Sequence, residues 1–329
     1  MSGTSIPYHL RQNKAIDRYA FMELLAKIDK FCDISEYSYI GFGGHSLEDF
    51  KYVHSYLRIS NMISIEEDEE VYKRQKFNQP HNCIDCFLKP SSDFINDFER
   101  TDGTIIWLDY TKPSDLRNQI EEFQAIFNKL LPFDVIKITL NANASSYLEA
   151  RTGAKTDEIH QPRLEELRRR LGDIFPYAEV TTNMMTKKRF PEALCLVLKF
   201  AANLATQGRP DVYFQPITSF SYSDGGHEML TVTGIILEKE QEIIFFDKTN
   251  IKQWELSNTN WGKPQRINVP NLTVKERLYI DALLPNSEAE AIQENLGFLF
   301  DKNDKLSLEM LKTYVMFYRQ CPFFSKILI

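Results

Sequence analysis

The chain has 329 residues, of which 43% are hydrophobic and 26% are charged, so it can bury a core and is neither a disordered nor a collagen-like protein. Its 39 Lys and Arg against 46 Asp and Glu give a net charge of −7, which argues against a non-specific binder of nucleic acids or membrane surfaces. The length favours one large domain with an appendage.

Helical and strand patterns alternate through the first half of the chain. The apolar residues of 15–31 recur every three to four positions, as in an amphipathic helix. Helical patterns also occur at 46–57, where Ser46 is the expected N-cap, and at 114–131. Another helix is predicted after the acidic run at 66–70 and ends at about residue 78. Between the helices, five short apolar runs predict strands at 37–40, 62–65, 83–88, 104–108 and 133–140. Apolar strands separated by helices indicate a parallel sheet with both faces buried.

The pattern changes after the fifth strand. Helices expected near 163–173 and 190–206 are followed by two adjacent strands, 212–222 and 229–237. The link between these strands is too short for a crossover helix, so they must pair antiparallel. We therefore predict an α/β, Rossmann-like fold whose mainly parallel, seven-stranded sheet ends in an antiparallel hairpin.

Three regions are expected along the chain: an N-terminal helical segment at 1–35, the α/β domain at 36–250, and a small, mostly helical C-terminal module at 251–329. Residues 251–266 have the polar composition of a loop, and residues 314–324 are rich in aromatic side chains. The aromatic C-terminal helices are the candidate surface for a protein partner or for self-association.

A glycine-rich turn is the strongest local signal for a ligand. Gly41, Phe42, Gly43 and Gly44 join the first strand to the next helix, where glycines let the backbone turn tightly and approach a ligand closely. A dinucleotide fingerprint would need a third glycine at position 46, where Ser46 stands, so a ligand without phosphates fits better. A glycine turn that binds no ligand is the alternative.

An acidic run follows the second strand. Glu66 is the candidate for holding the ribose hydroxyls of a cofactor, because a carboxylate can accept hydrogen bonds from both, and Glu67 belongs to the same candidate site. The alternative is that the run only favours a helix N-terminus. We assign that role to Glu69 and Glu70.

Polar residues after the third and fourth strands complete the candidate site. Ser92 and Asp93 lie where an adenine amino group would find an acceptor, although a turn or a helix cap explains them equally well. Asp109, at the end of the fourth strand, could orient a nucleophile, accept its proton or bind a cation. Tyr110 and Lys112 follow it as further catalytic candidates, and Lys112 could lower the pKa of an attacking hydroxyl or hold an anionic substrate.

No metal is expected. The fifth strand is followed by Asn141 and Asn143, amides rather than the carboxylates that hard cations prefer, so a metal site with Asp109 is not favoured. Cys83 and Cys86 have the spacing of half a zinc knuckle, but they lie on a predicted strand, where positions i and i+3 face opposite sides.

Two basic clusters stand out in an acidic chain. Arg11, Lys14 and Arg18 share one face of the N-terminal helix. Such a face is usually solvated, but this helix precedes the first strand and could also fold over the ligand cleft to meet an anionic substrate or a cofactor carboxylate. Residues 187–189 (KKR) form the second cluster, and either could give a local nucleic-acid patch.

Four motifs resemble, in order and spacing, motifs I to IV of class I S-adenosylmethionine-dependent methyltransferases; they are YIGFGG (39–44), SIEED (64–68), SSDF (91–94) and WLDYTKP (107–113). More narrowly, residues 8–18, 41–50 and 64–78 resemble a bacterial family labelled "putative O-methyltransferase". The resemblance covers about 8–240. It implies S-adenosyl-L-methionine as the cofactor and methyl transfer to an acceptor that it does not identify.

Residue roles follow from the resemblance. The glycines of 41–44 would hold the methionine side of the cofactor, Glu66 the ribose and Asp93 the adenine, with Asp109 at the reacting centre. Motif I here has Tyr39 and Ile40 where the usual acidic residue would stand, which also allows a degenerate fold that senses a nucleotide or scaffolds a partner. A nucleic-acid methyltransferase guided by the basic clusters is the other alternative.

The expected location is the cytoplasm. The N-terminus has no basic segment followed by an apolar run, and no apolar stretch is long enough for a membrane helix. Five cysteines at irregular spacing suit free thiols in a reducing compartment better than a disulfide framework.

Overall fold

The computed structural model describes residues 11–147 and 156–322. Within these residues, eight strands form one sheet in the order β3-β2-β1-β4-β5-β7-β6-β8. The strands are β1 (Ser38–Gly41), β2 (Asn61–Glu66), β3 (Ile84–Leu88), β4 (Thr104–Asp109), β5 (Val135–Asn141), β6 (Val212–Asp224), β7 (His227–Glu238) and β8 (Gln265–Ile267). Strands β1 to β5 are parallel, β7 runs antiparallel to β5 and β6, and β8 is parallel to β6.

Helices cover both faces of this sheet. They are α1 (Gln12–Ile28), α2 (Glu48–Leu57), α3 (Glu69–Asn78), α4 (Ser91–Asp97), α5 (Leu116–Lys129), α6 (Thr156–Leu171), α7 (Phe190–Thr206), α8 (Glu242–Thr249), α9 (Val274–Leu283), α10 (Ala289–Leu296) and α11 (Asp304–Phe317). One apolar core lies between the sheet and the helices α1, α2, α9, α10 and α11. The other lies between the sheet and α5, α6 and α7.

The predicted fold class is confirmed, with one strand more than expected. The alternation of strands and helices, the parallel strands and the antiparallel hairpin are all present. The eighth strand, β8, lies in the polar segment that we interpreted as a loop, and its three residues are too few to leave a period-2 pattern.

The hairpin between β6 and β7 turns at Gly225 and Gly226. Both glycines have positive φ angles, 57° and 88°, which a two-residue hairpin turn requires and which side chains of other residues disfavour. Asp224 and His227 pair directly across this turn. The turn brings the end of β6 and the start of β7 to the edge of the sheet where β5 ends.

The expected N-cap of α2 is wrong. Leu47, with φ at 52°, occupies the cap position and makes no side-chain cap, while the Ser46 hydroxyl is buried without a hydrogen bond. Asp49, three residues after Ser46, forms an ion pair with Arg18 of α1 instead. Asp49 thus pairs with a residue 31 positions away rather than with the backbone at the start of its own helix.

The C-terminal residues are integrated with the rest of the chain. Tyr314 and Phe317 of α11 are fully buried in the same core as α1. The amide of Gln320 also donates to Glu23 of α1 at 2.7 Å. The division of the chain after residue 250 therefore stays a proposal, because β8 and this core join its two sides.

Among the described residues, no helix combines the length and the apolar character needed to cross a membrane.

Candidate functional site

The parallel strands deliver the predicted residues to one edge of the sheet. Gly41 ends β1 and lies between β2 and β4, with Ser64 and Trp107 as its register partners. Glu66 ends β2, and Asp109 ends β4 beside Thr139 of β5. Because carboxyl ends of parallel strands share an edge, these residues surround the turn that follows β1.

The glycines of that turn serve different needs. A Cβ on Gly43 would lie 2.3 Å from Leu47 Cδ2 and 2.6 Å from Ser64 Oγ, and the Gly43 amide donates to that hydroxyl at 3.2 Å. Gly44 has a φ of 50°. A Cβ on Gly41 would meet nothing closer than 3.4 Å. Internal packing therefore requires Gly43 and backbone conformation favours glycine at position 44, whereas neither explains Gly41.

This difference gives a matched pair of variants. We expect Gly43→Ala to destabilise the protein by about 1–3 kcal/mol, because its Cβ overlaps packed atoms. Gly41→Ala should fold with near-normal stability, since its Cβ makes only ordinary contacts. Urea denaturation measures both. Equal losses in the two variants would contradict the assignment of Gly43 to packing.

Glu66 is half-buried at the end of β2. Its Oε1 atom accepts a hydrogen bond of 2.9 Å from the backbone N–H of Asp68. Burial raises the pKa of Glu66, against the effect of the backbone hydrogen bonds. A carboxylate can accept about four hydrogen bonds, so this one retains capacity for hydroxyl donors.

Glu67 and Lys112 form an ion pair above the glycine turn. Lys112 Nζ donates to Glu67 Oε1 at 2.7 Å, and both side chains are more than half exposed. Glu67 follows β2 and Lys112 follows β4, and β1 lies between these strands in the sheet. The pair thus spans the carboxyl end of β1 and brings together two predicted residues from different loops.

Asp109 is a buried, charged carboxylate. Its Oδ2 atom accepts from Lys14 Nζ of α1 at 2.8 Å, while Oδ1 is buried without a hydrogen bond. Burial would raise the pKa of Asp109, but the positive charge and hydrogen bond of Lys14, the charge of Arg18 and the Thr139 hydroxyl together outweigh burial and lower it. The carboxylate therefore stays ionised, with one oxygen available to a donor.

Tyr110 and Phe42 pack against each other near the same turn. Their rings are 5.4 Å apart in an edge-to-face arrangement. The Tyr110 hydroxyl donates to Glu122 of α5 at 2.5 Å, and burial followed by the Glu122 charge raises its pKa well above the ordinary value. The hydroxyl is thus directed to α5.

Ser92 and Asp93 belong to the helix α4, which follows β3. Both are exposed in the first turn of α4, and the recorded contact is a 3.4 Å hydrogen bond from Ser92 to Asp93. Pro90 occupies the N-cap position. An acidic residue in a first helical turn is favoured by the helix dipole, which is sufficient to explain Asp93 here.

The basic face of α1 lies over the carboxyl edge. Its three cations meet carboxylates of the protein itself: Arg11 pairs with Asp224 at 3.0 Å, Lys14 with Asp109, and Arg18 with Asp49. Lys14 and Arg18 are 3% and 4% exposed. Of the two expectations for these cations, the helix covers the edge of the sheet as in the second, and the first, a solvated face, is not observed.

Sequence reasoning missed the buried residues that support this edge. Lys137 of β5 donates to Asp17 of α1 at 2.7 Å, and neither side chain is more than 1% exposed. Burial lowers the pKa of Lys137, although Asp17 opposes the shift. Thr231 of β7 also donates to Asp17, at 3.0 Å. A lysine within an apolar strand was the available signal, since such a residue needs a buried partner.

Several buried acceptors beneath α1 lack hydrogen bonds. They are Asp17 Oδ2, Asp109 Oδ1, Asp224 Oδ1 and the hydroxyl of Tyr222. Burial, followed by the charges of those three carboxylates, raises the pKa of Tyr222 well above its ordinary value. Buried polar atoms are seldom left unpaired, so this layer is suited to water or to a donor-bearing ligand.

Two cavities among the described residues lie elsewhere on the molecule. One, of about 580 Å³, is lined by α10, Phe298, Leu299 and Leu308. The other, of about 280 Å³, lies between the second half of α1 and residues 250–255. At the carboxyl edge, α1 and its ion pairs occupy the space over β4 and β5.

The described residues contain no group of three or more His, Cys, Asp or Glu side chains that could hold a metal ion. Cys86 lies on β3 and Cys83 precedes it, with its Sγ 3.8 Å from His54 Nδ1. Asn141 donates to the carbonyl of Thr111 and accepts from the N–H of Asn143, so its amide serves the local backbone.

A reversed strand inserted between β5 and β6, a glycine turn after β1, and carboxylates after β2 and β4 define the fold and edge of a class I methyltransferase. The chain belongs to the family described as "Putative O-methyltransferase", whose model matches residues 6–329. The match confirms the family resemblance and the methyltransferase class. No curated protein matches the chain.

Solved structures are similar to this chain at low sequence identity. The plantazolicin methyltransferase BamL, in complex with a triazolic desmethylPZN analog and SAH, is 11% identical, with a TM-score of 0.42 over 67% of this chain and 85% of that one. A fibrillarin/Nop5p complex is 14% identical, with a TM-score of 0.33 over 61% and 72%. The Methanococcus jannaschii fibrillarin is also 14% identical, with a TM-score of 0.33 over 61% and 67%. At these scores none of them bears on the activity of this chain.

Proposed function

We propose that the chain transfers the methyl group of S-adenosyl-L-methionine to an oxygen atom of an acceptor at the carboxyl edge of the sheet. The observation that carries this proposal is Asp109, an ionised carboxylate with a buried and unpaired Oδ1, in a member of an O-methyltransferase family.

The residues around the turn after β1 fit this cofactor. Gly41, which packing leaves unexplained, allows the backbone to approach the methionine part, with Phe42, Gly43 and Gly44 shaping the turn. Glu66 retains acceptor capacity for the ribose hydroxyls. The exposed ion pair of Glu67 with Lys112 connects the loops after β2 and β4 across the carboxyl end of β1.

Ser92 and Asp93 are the residues proposed to recognise the adenine. Both residues are exposed, and their contact is with each other. They remain part of the proposed site because α4 follows β3, the strand next to β2. A hydrogen bond from the adenine amino group to Asp93 requires no burial of the carboxylate.

The bound cofactor supplies a methyl group already activated by its positively charged sulfur. The protein then has to align the acceptor oxygen with the methyl carbon, which is mainly a positioning task. Asp109 Oδ1 would accept the hydrogen bond of the acceptor hydroxyl, orient its lone pair and take up its proton as the oxygen is methylated. Lys14 holds Asp109 in place and ionised, because it lowers the pKa of that carboxyl. Tyr110 contributes its ring rather than its hydroxyl, which Glu122 engages.

Labelled substrate tests this activity directly. Purified protein is incubated with radiolabelled S-adenosylmethionine and size-fractionated lysate, and transfer of label to one fraction is the expected result. Cofactor affinity is measured separately by calorimetry. Bound cofactor without transfer to any fraction would favour the sensor or scaffold alternative instead.

Glu66→Ala is expected to weaken cofactor binding by about 1–3 kcal/mol, the cost of leaving polar groups unpaired. Only the ionised carboxylate accepts both hydroxyls. Because burial raises the pKa of Glu66, affinity should fall with decreasing pH from a higher pH than an ordinary glutamate would give. Calorimetry over a pH series checks this, and Glu66→Gln should flatten the dependence.

Glu70→Ala is the control for this measurement, because Glu70 lies in the first turn of α3 with an exposed side chain paired to Lys73. It should bind the cofactor as the unmodified protein does. An unchanged affinity in Glu66→Ala would remove Glu66 from the site.

A further inference from the structure

A group of cations lies on the α7 side of the carboxyl edge. We call it the basic rim and define it as Lys187, Lys188, Arg189, Lys263 and Arg266. The first three directly precede α7, and the last two lie immediately before and within β8. Two distant parts of the sequence therefore contribute to one surface.

Glu228, at the start of β7, ties the two parts together. Its Oε1 atom accepts from Arg266 at 3.0 Å and lies 3.5 Å from Lys187 Nζ. A second hydrogen bond joins Arg266 to Oε2. Glu228 is 3% exposed, whereas the Lys187 side chain is 79% exposed. The bidentate arginine already neutralises the carboxylate, so the longer contact leaves Lys187 as surplus positive charge.

Glu192 of α7 repeats this arrangement. Arg189 donates to its Oε2 atom at 3.0 Å, and Lys263 Nζ lies 3.6 Å from Oε1. The Lys263 side chain is 62% exposed. The arginine again takes the close hydrogen bond, and the lysine is held only loosely.

The charge of the rim is therefore positive. Five cations face two carboxylates, which leaves an excess of three positive charges in a chain whose net charge is −7. Two arginines satisfy the acids, and Lys187, Lys188 and Lys263 provide the excess on mobile side chains. Such a local reversal of charge concentrates anions at one place on the surface.

The rim adjoins the proposed reaction site. The carbonyl of Glu228 accepts from the backbone N–H of Ala142, directly after β5, at 2.7 Å. Strand β5 pairs with β4, which ends at Asp109. With neighbouring strands about 4.8 Å apart, Glu228 on β7 is two strands, or about 10 Å, from β4, and Arg266 on β8 is four strands, or about 19 Å, from it. One extended small molecule can reach both places.

We propose that the basic rim binds a phosphate group of the methyl acceptor. That the phosphate belongs to a methyl acceptor rests on the proposed function, whereas the binding of an anion at the rim does not. Three lysines grouped around two arginine-neutralised carboxylates match a compact, multiply charged anion. The acidic total charge favours a small phosphorylated molecule over a long nucleic acid, which would meet repulsion outside the rim.

The first test measures binding of inorganic pyrophosphate by calorimetry at low ionic strength. The rim variant carries Lys187→Gln, Lys188→Gln and Lys263→Gln, and it keeps both arginines on their carboxylates. We expect its affinity for pyrophosphate to be at least about 10-fold lower than that of the unmodified protein, with the difference shrinking as salt is added.

The matched control carries Lys275→Gln, Lys302→Gln and Lys305→Gln, three exposed lysines of the C-terminal region. It has the same net charge as the rim variant and should bind pyrophosphate normally. Equal affinities in the rim and control variants would overturn the proposal, whether or not methyl transfer has been detected.

The second test identifies the source of the phosphate. Radiolabelled methyl transfer is assayed with lysate that has been separated by anion exchange, with and without nuclease or phosphatase treatment. We expect the labelled acceptor in the retained, nuclease-resistant and phosphatase-sensitive fraction, with KM raised about 10-fold in the rim variant and kcat little changed. Label confined to nuclease-sensitive or unretained material would overturn the proposal. If no fraction is labelled and calorimetry detects no cofactor, the proposed function fails, and the pyrophosphate result stands by itself.

Discussion

Asp109→Asn is expected to lower kcat for methyl transfer by about 100-fold, the usual effect of losing the alignment of a reacting group. The substitution keeps the shape of the side chain but replaces one carboxylate oxygen by an amide and removes the charge that Lys14 pairs with. Steady-state kinetics with the labelled cofactor and the acceptor fraction measures the change. Affinity for the cofactor should stay within about twofold, because Asp109 is proposed to contact the acceptor.

A stability measurement has to accompany these kinetics, because Asp109→Asn removes a negative charge that the buried Lys14 ammonium pairs with. Lys14→Met combined with Asp109→Asn removes that cost and should unfold at a higher urea concentration than Asp109→Asn, yet stay equally inactive. Recovery of activity in the double variant would show that Asp109 acts only on stability. Asp102→Asn, an exposed aspartate before β4, is the control for both measurements.

Lys137→Met should produce the largest loss of stability, about 3–5 kcal/mol, because it leaves the Asp17 carboxylate buried without a cation. Both partners are within 1% of complete burial, and the remaining hydrogen bond to Asp17 comes from the neutral hydroxyl of Thr231. Urea denaturation followed by circular dichroism measures the effect. A loss below about 1 kcal/mol would contradict the inference that this pair carries its charges inside the protein.

The double variant Lys137→Met with Asp17→Leu separates charge from packing. Replacing both members of a buried pair by apolar residues is often neutral, so we expect most of the stability to return. Lys73→Met, which breaks an exposed pair on α3, should leave the urea midpoint unchanged. If the double variant is as unstable as Lys137→Met, the loss stems from packing under Phe21 and Trp107 instead.

The sequence was informative where a pattern is local and repeated. The five parallel strands carry short, mainly apolar runs, although the edge strand β3 exposes Phe87 and Leu88. The sequence also predicts α7 at 190–206, the range that it occupies. The antiparallel hairpin followed from a link that is too short for any crossover. Strand β8 escaped because it is held by pairing with β6 rather than by its own composition.

The sequence could predict only part of the candidate site. Gly41, Glu66 and Asp109 could be placed at one edge because strand ends define it. The partners of Lys14 and Arg18 could not, since those ion pairs join residues 95 and 31 positions apart and depend on how α1 crosses the sheet. Asp17 gave no local sign that Lys137, 120 positions away, would be its counter-ion.

Helix α1 contacts both the sheet and the C-terminal helices, and this position has a further consequence. Its first half is fixed to β4 by Lys14 and to α2 by Arg18, and its second half is fixed to the C-terminal region through Glu23 and Gln320. A shift of this helix that admits a ligand therefore changes contacts at both ends at once. If ligand binding at the carboxyl edge changes the affinity of the C-terminal half of α1 for a second molecule, that molecule must change the affinity for the ligand by the same factor, because coupling between two binding sites is reciprocal.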